Sequence, residues 1–160
     1  MDMTLDHLKG WIGREESASE LLTPVLTERF LATFDRDGES GPGAEAPLLL
    51  HHALCHPVAA TSELGPDGHP HRGGFLPPVT LPRRMWAGGG IAFHSAPRVG
   101  EIVTRNSVID DVRIKQGRSG TLCFVTVNAT HEVEPAPHVA CGNPKRLGEA
   151  GTVRQVFVVV

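Results

Sequence analysis

Hydrophobic and polar residues alternate most regularly in two long runs that meet near residue 118. In the later run, hydrophobic residues fall on one face: Cys123, Val125, Val127, Ala129 and Val133. Polar residues fall on the opposite face: Thr126, Asn128, Thr130 and Glu132. This period of two is typical of a strand that is buried on one face. The connection Gly117-Arg118-Ser119-Gly120 separates the two runs, so the pattern predicts a β-hairpin with long arms.

The earlier run is less regular. Val112 and Ile114 alternate with charged residues, but the pair Asp110-Asp111 interrupts the phase. We interpret this pair as a β-bulge or bend, because adjacent charges rarely keep both strand faces in phase. A shorter run over 86–95 precedes the hairpin, and we expect it to pair with the hairpin as a meander that packs on one helix.

One amphipathic helix is predicted after Thr23, whose hydroxyl suits the N-cap, with Pro24 at the first helical position. Leu26, Phe30 and Phe34 then recur every four residues, and the helix is expected to end near Asp35. Residues 5–22 carry only a weak helical signal, with Trp11 as an expected anchor on the domain.

Two other segments have a distinct character. Residues 62–82 are rich in Gly and Pro and predict a long irregular segment, which in a compact domain is usually functional. Residues 134–151 show no periodicity. The following run, 155–160, is almost entirely apolar, so we expect a strand covered by the sheet or by another chain.

Composition narrows the class of protein. With 160 residues and 40% hydrophobic residues, the chain is expected to form a single domain over 1–160. A net charge of −3 gives no reason to expect a nucleic-acid partner, and no apolar run approaches the roughly 18 residues of a membrane span. The acidic N-terminus lacks a secretory layout, and the three cysteines show no CxxC spacing, which together favour the cytoplasm.

The charges are unevenly distributed. Residues 1–45 hold ten acidic and four basic residues, whereas residues 72–118 hold eight basic and three acidic ones, counted along the sequence. The basic middle could face phosphates, a carboxylate or the acidic N-terminal segment. Solvated surface charge is the interpretation we favour.

Histidine and cysteine cluster at His51, His52, Cys55 and His56. Zinc sites generally combine two well-separated ligand pairs, and here all four candidates lie within six residues, so we predict no metal site. Cys55 could act as a nucleophile beside a histidine, but a lone cysteine without an activating motif is more often a small buried side chain.

Several basic and glycine residues are candidates for ligand contacts. The run Gly88-Gly89-Gly90 has no following Lys-Ser/Thr, so it is not a phosphate loop, but glycine in a strand permits close approach by a ligand. Arg83, Arg84 and Arg118 could bind anionic groups, because a guanidinium binds phosphate and carboxylate in bidentate fashion.

The sequence blocks SELGPDGHP at 62–70, RGGFLPP at 72–78 and LPRRMWAGG at 81–89 carry a resemblance to a known family. They resemble the amino-terminal half of MaoC-like, type 2 hydroxyacyl-thioester dehydratases, including mesaconyl-CoA hydratases. The resemblance covers about 11–133 and leaves 134–160 as a divergent tail with a terminal strand. It implies an α+β hot-dog fold, in which a long antiparallel sheet wraps around a central helix.

The resemblance also implies a function. Such proteins add water reversibly to enoyl thioesters of CoA or acyl-carrier protein, without a cofactor, and usually hold two hot-dog units with an Asp/His dyad in the second. The dyad motif, roughly Gly-Asp-x-Asn-Pro-x-His, is not found here, since Asn143-Pro144 has neither the Asp nor the His in place. We therefore assign no catalytic residue.

The role expected from the resemblance is the non-catalytic, tunnel-forming half, paired in a homodimer or with a catalytic hot-dog subunit. The alternative is an acyl-thioester-binding or oligomerisation module that has lost the chemistry. The residues expected to contact the acyl thioester are Arg83, Arg84, Trp86, Gly88, Gly89, His94 and Arg118.

Overall fold

A five-stranded antiparallel sheet dominates the fold. The computed structural model describes residues 4–118, 120–135 and 148–159. The helices are α1 (Leu5–Lys9), α2 (Pro24–Thr33) and two 3₁₀ helices, Leu50–Ala53 and Thr61–Glu63; the strands are β1 (Glu15–Leu21), β2 (Arg84–Phe93), β3 (Glu101–Gly117), β4 (Gly120–Pro135) and β5 (Gly148–Val159). The strand order is β1-β3-β4-β5-β2, so β1 and β2 form the two edges.

The predicted long hairpin is present as β3 and β4. The two strands pair from Glu101 opposite Pro135 to Gly117 opposite Gly120. The turn residue Ser119 lies outside the described residues. Gly120 has a φ of +127°, a conformation that side-chain-bearing residues rarely adopt. Glycine therefore fits the tight return of the chain at this position.

The predicted bulge is confirmed at Asp110. Ile109 pairs with Val127 and Asp111 pairs with Thr126, which leaves Asp110 as the extra residue. Because one residue is inserted, Ile109 and Val112 are three positions apart yet both are fully buried. The bulge thus accounts for the interrupted phase of the first arm.

The expected meander is wrong in its strand order. β2 pairs with β5 and not with the β3–β4 hairpin. Alternation predicts that a strand exists but not which neighbour it will have, since that depends on where the distant β5 inserts. The apolar terminal run is indeed covered by the sheet, because β5 lies between β4 and β2. Val160 lies outside the described residues.

The polar edge strand β1 was not predicted at all. Its sequence, EESASEL, places polar residues on both faces, and most of the strand is exposed. A strand of this kind lacks the alternating pattern that reveals half-buried strands. β1 pairs along β3, from Glu15 opposite Val108 to Leu21 opposite Ile102.

Helix α2 begins as predicted. The backbone N–H of Leu26 donates to the Thr23 hydroxyl at 3.2 Å, with Pro24 in the first turn. Leu26 and Phe30 of the predicted face pack against the core and Leu31 beside them is buried with Thr27, whereas Phe34 is 59% exposed. Among the described residues, no helix has the length and apolar character needed to cross a membrane.

Two apolar clusters cover the inward face of the sheet. The first contains Leu8, Val79, Ile109, Val112, Cys123, Val125 and Val127, and the predicted anchor Trp11 packs against it. The second contains Leu22, Ala46, Leu50, Leu54, Cys55, Val103 and Val133, and the partly buried side chains of α2 pack against it. The strip of sheet between these clusters is where polar side chains turn inward.

Candidate functional site

A polar row crosses the inward face of the sheet between the two apolar clusters. Arg105 on β3 lies opposite His131 on β4, which in turn lies opposite Gly151 on β5 and then Phe93 on β2. Directly paired residues point to the same face of an antiparallel sheet. Glycine has no side chain, so the position between His131 and Phe93 leaves space above the sheet. The register between β4 and β5 shifts directly after His131, because His131 pairs with Gly151 and Glu132 pairs with Glu149.

The 3₁₀ helix Leu50–Ala53 lies over this space and brings a second histidine to it. The ring centroid of His51 is 4.9 Å from that of His131 and 5.8 Å from that of Phe93, both in edge-to-face arrangements. The ring of His52 also contacts that of His51, with centroids 4.3 Å apart and a tilt of 40°. The three rings His51, His131 and Phe93 therefore form one contiguous group drawn from three elements.

Buried residues fix the 3₁₀ helix to the sheet. Leu50 and Leu54 are almost fully buried in the second cluster. The Cys55 thiol donates to the Val103 carbonyl at 3.4 Å, and the Cys55 N–H donates to the Glu20 carboxylate at 2.6 Å. Burial raises the pKa of the Cys55 thiol, so it stays protonated as a structural side chain rather than an activated nucleophile.

A cavity opens beside the two histidines. It is a small cleft with a volume of about 20 Å³, and its wall includes Leu48, Ile91 and Phe93 together with His51 and His131. Binding sites for small molecules are typically much larger apolar clefts with a few polar groups. This cleft has the apolar wall and the polar end of such a site, but as it stands it has room for about one water molecule.

Unpartnered nitrogens concentrate at the same place. Within the described part of the chain, four buried side-chain atoms lack a hydrogen-bond partner, and three of them are Nε2 of His51, Nδ1 of His131 and Nε of Arg105. A buried polar atom without a partner costs about 1–3 kcal/mol. This strip of the sheet is therefore less stable than an apolar strip would be.

The two histidines are uncharged near neutral pH. Burial is the main cause that lowers the pKa of His51 to about 4, with His52 and His131 adding repulsion. Burial likewise lowers the pKa of His131 to about 4, with a contribution from the Arg105 guanidinium. Arg105 itself is paired with Glu16 at 2.8 Å. The site can therefore donate and accept hydrogen bonds without presenting an uncompensated charge.

A comparison of this chain with known sequence families identifies the family to which it belongs. The family described as hydroxyacyl-thioester dehydratase type 2 matches residues 49–146, well over half of the chain. The chain belongs to this family. The match contains the 3₁₀ helix with His51, the irregular segment, and strands β2, β3 and β4, so both histidines of the site lie within it.

A curated relative supports this dehydratase assignment. The chain is 44% identical over 120 residues to mesaconyl-C(4)-CoA hydratase of Chloroflexus aurantiacus. The aligned stretch covers 73% of this chain and 42% of the relative. The dehydratase-family chain thus spans less than half the length of the curated relative that it matches.

Solved structures confirm the α+β hot-dog fold expected for a dehydratase of this type. The ChsH1–ChsH2 complex of Mycobacterium tuberculosis matches with a TM-score of 0.60 at 12% identity, covering 97% of this chain and 88% of that one. The MaoC-like dehydratase of Rhodospirillum rubrum matches with a TM-score of 0.55 at 13% identity, covering 92% and 91%. At these identities the similarity shows the shared fold alone.

The basic residues of the dehydratase block lie away from the cavity. Arg84 is almost buried and binds the Asp67 carboxylate at 2.9 Å, while Arg72 lies 3.9 Å from the same carboxylate. Asp67 belongs to the turn of Gly65 to Gly68, so the Arg84 pair fastens the irregular segment to β2, while the Arg72 pair lies within the segment. This is a structural use of Arg84, and Arg83 beside it is exposed.

The other predicted contacts are spread over the surface. Trp86 is 65% exposed on the edge strand β2, where Gly88 and Gly89 also lie. His94 follows β2 directly and is exposed, and Arg118 lies at the turn of the long hairpin. The wall of the described cavity includes none of the seven predicted contacts. Their role in binding stays a prediction.

Two members of the polar row were missed by the sequence analysis. His131 occupies the inward position between Ala129 and Val133 in the alternation of β4, and a polar residue in an apolar phase was the available signal. Arg105 had no comparable signal, because the bulge obscures the phase of β3. His51 was considered as a metal ligand, as a partner of Cys55 or as a buried histidine. No group of three or more His, Cys, Asp or Glu side chains in the described ranges could hold a metal ion.

The charge asymmetry of the sequence also has an explanation. Arg105 pairs with Glu16, and Arg98 pairs with Glu45. Both pairs join the basic middle of the chain to the acidic N-terminal segment, which was one of the three alternatives considered. The remaining segment of interest, Asn143-Pro144, lies outside the described residues.

Proposed function

We propose that this chain is a hot-dog unit of an acyl-thioester hydratase or dehydratase, acting in the reversible addition of water to an enoyl thioester of CoA or acyl-carrier protein. The observation that carries this proposal is the family match, together with 44% identity over 120 residues to a hydratase of a CoA thioester. The chain supplies the tunnel-forming half rather than the catalytic half.

The composition of the site supports the non-catalytic half. Addition of water to an enoyl thioester needs an acid, a base and donors for the thioester carbonyl, and it transfers no electrons, so the proposal includes no cofactor. The sequence does not contain the Asp/His motif of the family. Histidines with a pKa near 4 are weak bases at neutral pH and are poorly suited to activate water, whereas the apolar wall beside them suits an acyl chain.

A second hot-dog unit completes the proposed enzyme. The chain spans 42% of its curated relative, and the ChsH1–ChsH2 structure to which it is similar is a complex. The partner is a second copy or a separate catalytic subunit, docked at the exposed edge strand β2. We place the assembly in the cytoplasm, in keeping with the free, buried thiols of Cys55 and Cys123.

Hydration of crotonyl-CoA, followed by loss of the enoyl-thioester absorbance, tests this proposal. The chain alone is expected to bind crotonyl-CoA without turnover, and turnover is expected once a hot-dog unit carrying the Asp/His motif is added. Turnover by the chain alone would overturn the non-catalytic role, and His51, His52, His94 and Asp110 would be the first residues to replace. Failure to bind any acyl thioester would overturn the proposal as a whole.

The absent motif also favours a second candidate function, a binding or oligomerisation module that has lost the chemistry. This candidate predicts acyl-thioester binding that is unchanged by any catalytic partner and a partner whose rate is unchanged by this chain. A rate increase of the catalytic unit on mixing would exclude it.

A further inference from the structure

We propose that residues 49–55 form a gate, closed in this structure, which lifts from the sheet to open the cleft beside His51 and His131 for an acyl chain. This inference rests on the proposed function and adds a conformational step to it. The closed cleft has a volume of about 20 Å³, far less than a bound acyl chain occupies. A chain can therefore enter only if one wall of the cleft moves.

Both ends of this segment have a strained backbone. Leu49 has a φ of +74° and Cys55 has a φ of +57°, in the left-handed region that residues with a side chain rarely adopt. Among the described residues, Asp35 is the only other non-glycine residue with a positive φ, and aspartate tolerates this conformation better than leucine does. Strained residues persist where the surrounding structure holds them, and they are typical of segments that switch between two positions.

The hydrogen bonds of the segment allow it to move as a unit. Its backbone N–H groups donate locally, from His52 to the Leu49 carbonyl at 2.9 Å and from Leu54 to the His51 carbonyl at 3.2 Å. Within the described part of the chain, no backbone–backbone hydrogen bond joins residues 49–55 to a strand. The segment is therefore held on the sheet by side-chain contacts, which break more easily than a strand ladder does.

The closed and lifted positions each satisfy groups that the other does not. The closed position buries Leu50 and Leu54 in the second cluster. It also leaves Nε2 of His51 and Nδ1 of His131 without hydrogen-bond partners among the described residues, which is costly. Lifting exposes the two leucines, but it lets water reach both nitrogens and relaxes Leu49. Because these effects oppose each other, we expect the lifted position to be a minor state in equilibrium with the closed one.

Labelling of Cys55 measures how often the gate opens. Its thiol is 3% exposed and donates to the Val103 carbonyl, and Cys123 on the central strand β4 is fully buried. A chain with Cys141→Ser contains only these two cysteines. The thiol reagent DTNB reaches a buried cysteine only when the structure that covers it opens. We expect Cys55 to be labelled at least about tenfold faster than Cys123, because labelling of Cys123 requires the sheet itself to open.

Substitutions of Leu49 test whether backbone strain favours the opening. Leu49→Asn should slow the labelling of Cys55 about threefold, because asparagine tolerates the left-handed backbone of the closed position. Leu49→Val should accelerate it about threefold, because a β-branched residue is strained there even more. Loss of packing alone predicts faster labelling for both variants. The matched control is Leu48→Asn, which removes a neighbouring leucine whose φ is negative and should not slow the labelling.

The affinity for an acyl chain connects the gate to the function. Because only the lifted position admits the chain, the apparent affinity should change in proportion to the population of that position. In calorimetric titrations, octanoyl-CoA should bind about threefold more weakly to Leu49→Asn and about threefold more tightly to Leu49→Val, in parallel with the labelling rates. Binding of free CoA, which has no acyl chain, should be the same in both variants.

The outcomes distinguish the gate from the function on which it rests. Equal labelling rates for Cys55 and Cys123, or faster labelling for both Leu49 variants, would overturn the gate and leave the proposed function intact. Changed labelling with an unchanged affinity for octanoyl-CoA would also overturn the gate, because the segment would then open without admitting the chain. Absence of octanoyl-CoA binding in every variant would overturn the proposed function together with the gate.

Discussion

At the scale of single residues, His131 and Arg105 lie opposite each other on the inward face of the sheet. Their neighbours on that face are buried: Val103 and Ser107 on β3, and Ala129 and Val133 on β4. Two consequences follow from this placement. The row contains buried nitrogens without hydrogen-bond partners among the described residues, and burial keeps the imidazoles of His131 and of the adjacent His51 neutral.

The neutral histidines predict a loss of stability in mild acid. The unfolded chain binds these protons near pH 6.5, whereas folded His51 and His131 bind them only near pH 4. The unfolded state therefore holds more protons between these values, so the free energy of unfolding should fall as the pH drops from 6.5 to 4. The expected loss is on the order of 3 kcal/mol, measured by urea denaturation across this range.

A variant isolates the contribution of His131. His131→Asn cannot take up the proton, so its stability should fall less steeply over the same range, while the exposed control His56→Asn should follow the unchanged chain. Other groups around the row, namely His52, Arg105 and its partner Glu16, are present in both proteins. Parallel profiles for His131→Asn and the unchanged chain would contradict the prediction.

How far single residues could be predicted depends on the strength of their local signal. The N-cap Thr23 and the bulge at Asp110 were found because capping and phase breaks are local properties of the sequence. The cluster at His51 and His52 was noticed, but its contact with His131 was not, because His131 is about eighty residues away in the sequence. When strand register brings distant side chains together, no local pattern in the sequence indicates that they will meet.

At the scale of elements, the β3–β4 hairpin depends on the inserted residue Asp110. Without it, Ile109 and Val112 would be two positions apart in a regular ladder and would still share a face. The bulge therefore changes the bend and twist of the strand more than it changes which side chains are buried.

Deletions distinguish the bulge from an ordinary strand position. Deletion of Asp110 should leave the pairing of Ile109 with Val127 and of Val112 with Val125 intact, at a cost of about 1–2 kcal/mol in the free energy of unfolding. Deletion of Asn106 should cost at least about 3 kcal/mol, because either Val103 or Ile109 is then forced to the outer face. Urea denaturation of the two variants gives the comparison.

Similar losses for the two deletions would show that the bulge is itself required for folding.

The same elements indicate the limits of sequence analysis. The half-buried strands of the hairpin and the capped helix α2 were predictable from periodicity. The exposed edge β1 and the pairing of β2 with β5 were not, because the former has no periodicity and the latter is decided by long-range packing.

At the scale of the whole molecule, the sheet ends on an edge strand, β2, that displays apolar side chains. Met85 is 52% and Trp86 is 65% exposed, and Phe93 on the same strand is 43% exposed at the cavity. Exposed edges with large apolar side chains are usually protected or paired. This edge is the docking place that we propose for the second hot-dog unit.

Assembly across β2 can be tested by light scattering. The chain is expected to have at least twice its monomer mass of 17.1 kDa. Trp86→Lys should weaken the association at least about tenfold, because a central aromatic residue contributes strongly to such contacts and a charge there is hard to bury. Phe34→Lys, at the exposed end of α2, is the control and should leave the mass unchanged.

A monodisperse monomer for the unchanged chain would contradict self-association, and the same experiment with a catalytic hot-dog unit would then test hetero-association. Equal weakening by Trp86→Lys and Phe34→Lys would place the contact elsewhere. These results would also show whether β2 is the surface that completes the enzyme.

The polar row has one more implication, for protein engineering and evolution. A designer who sought only thermal stability would replace Arg105 and His131 with aliphatic residues and join the two apolar clusters into one core. Such a protein should resist heat better, because it no longer contains buried nitrogens without a hydrogen-bond partner. The row thus shows that this sequence is not at its stability optimum, as is usual for natural proteins.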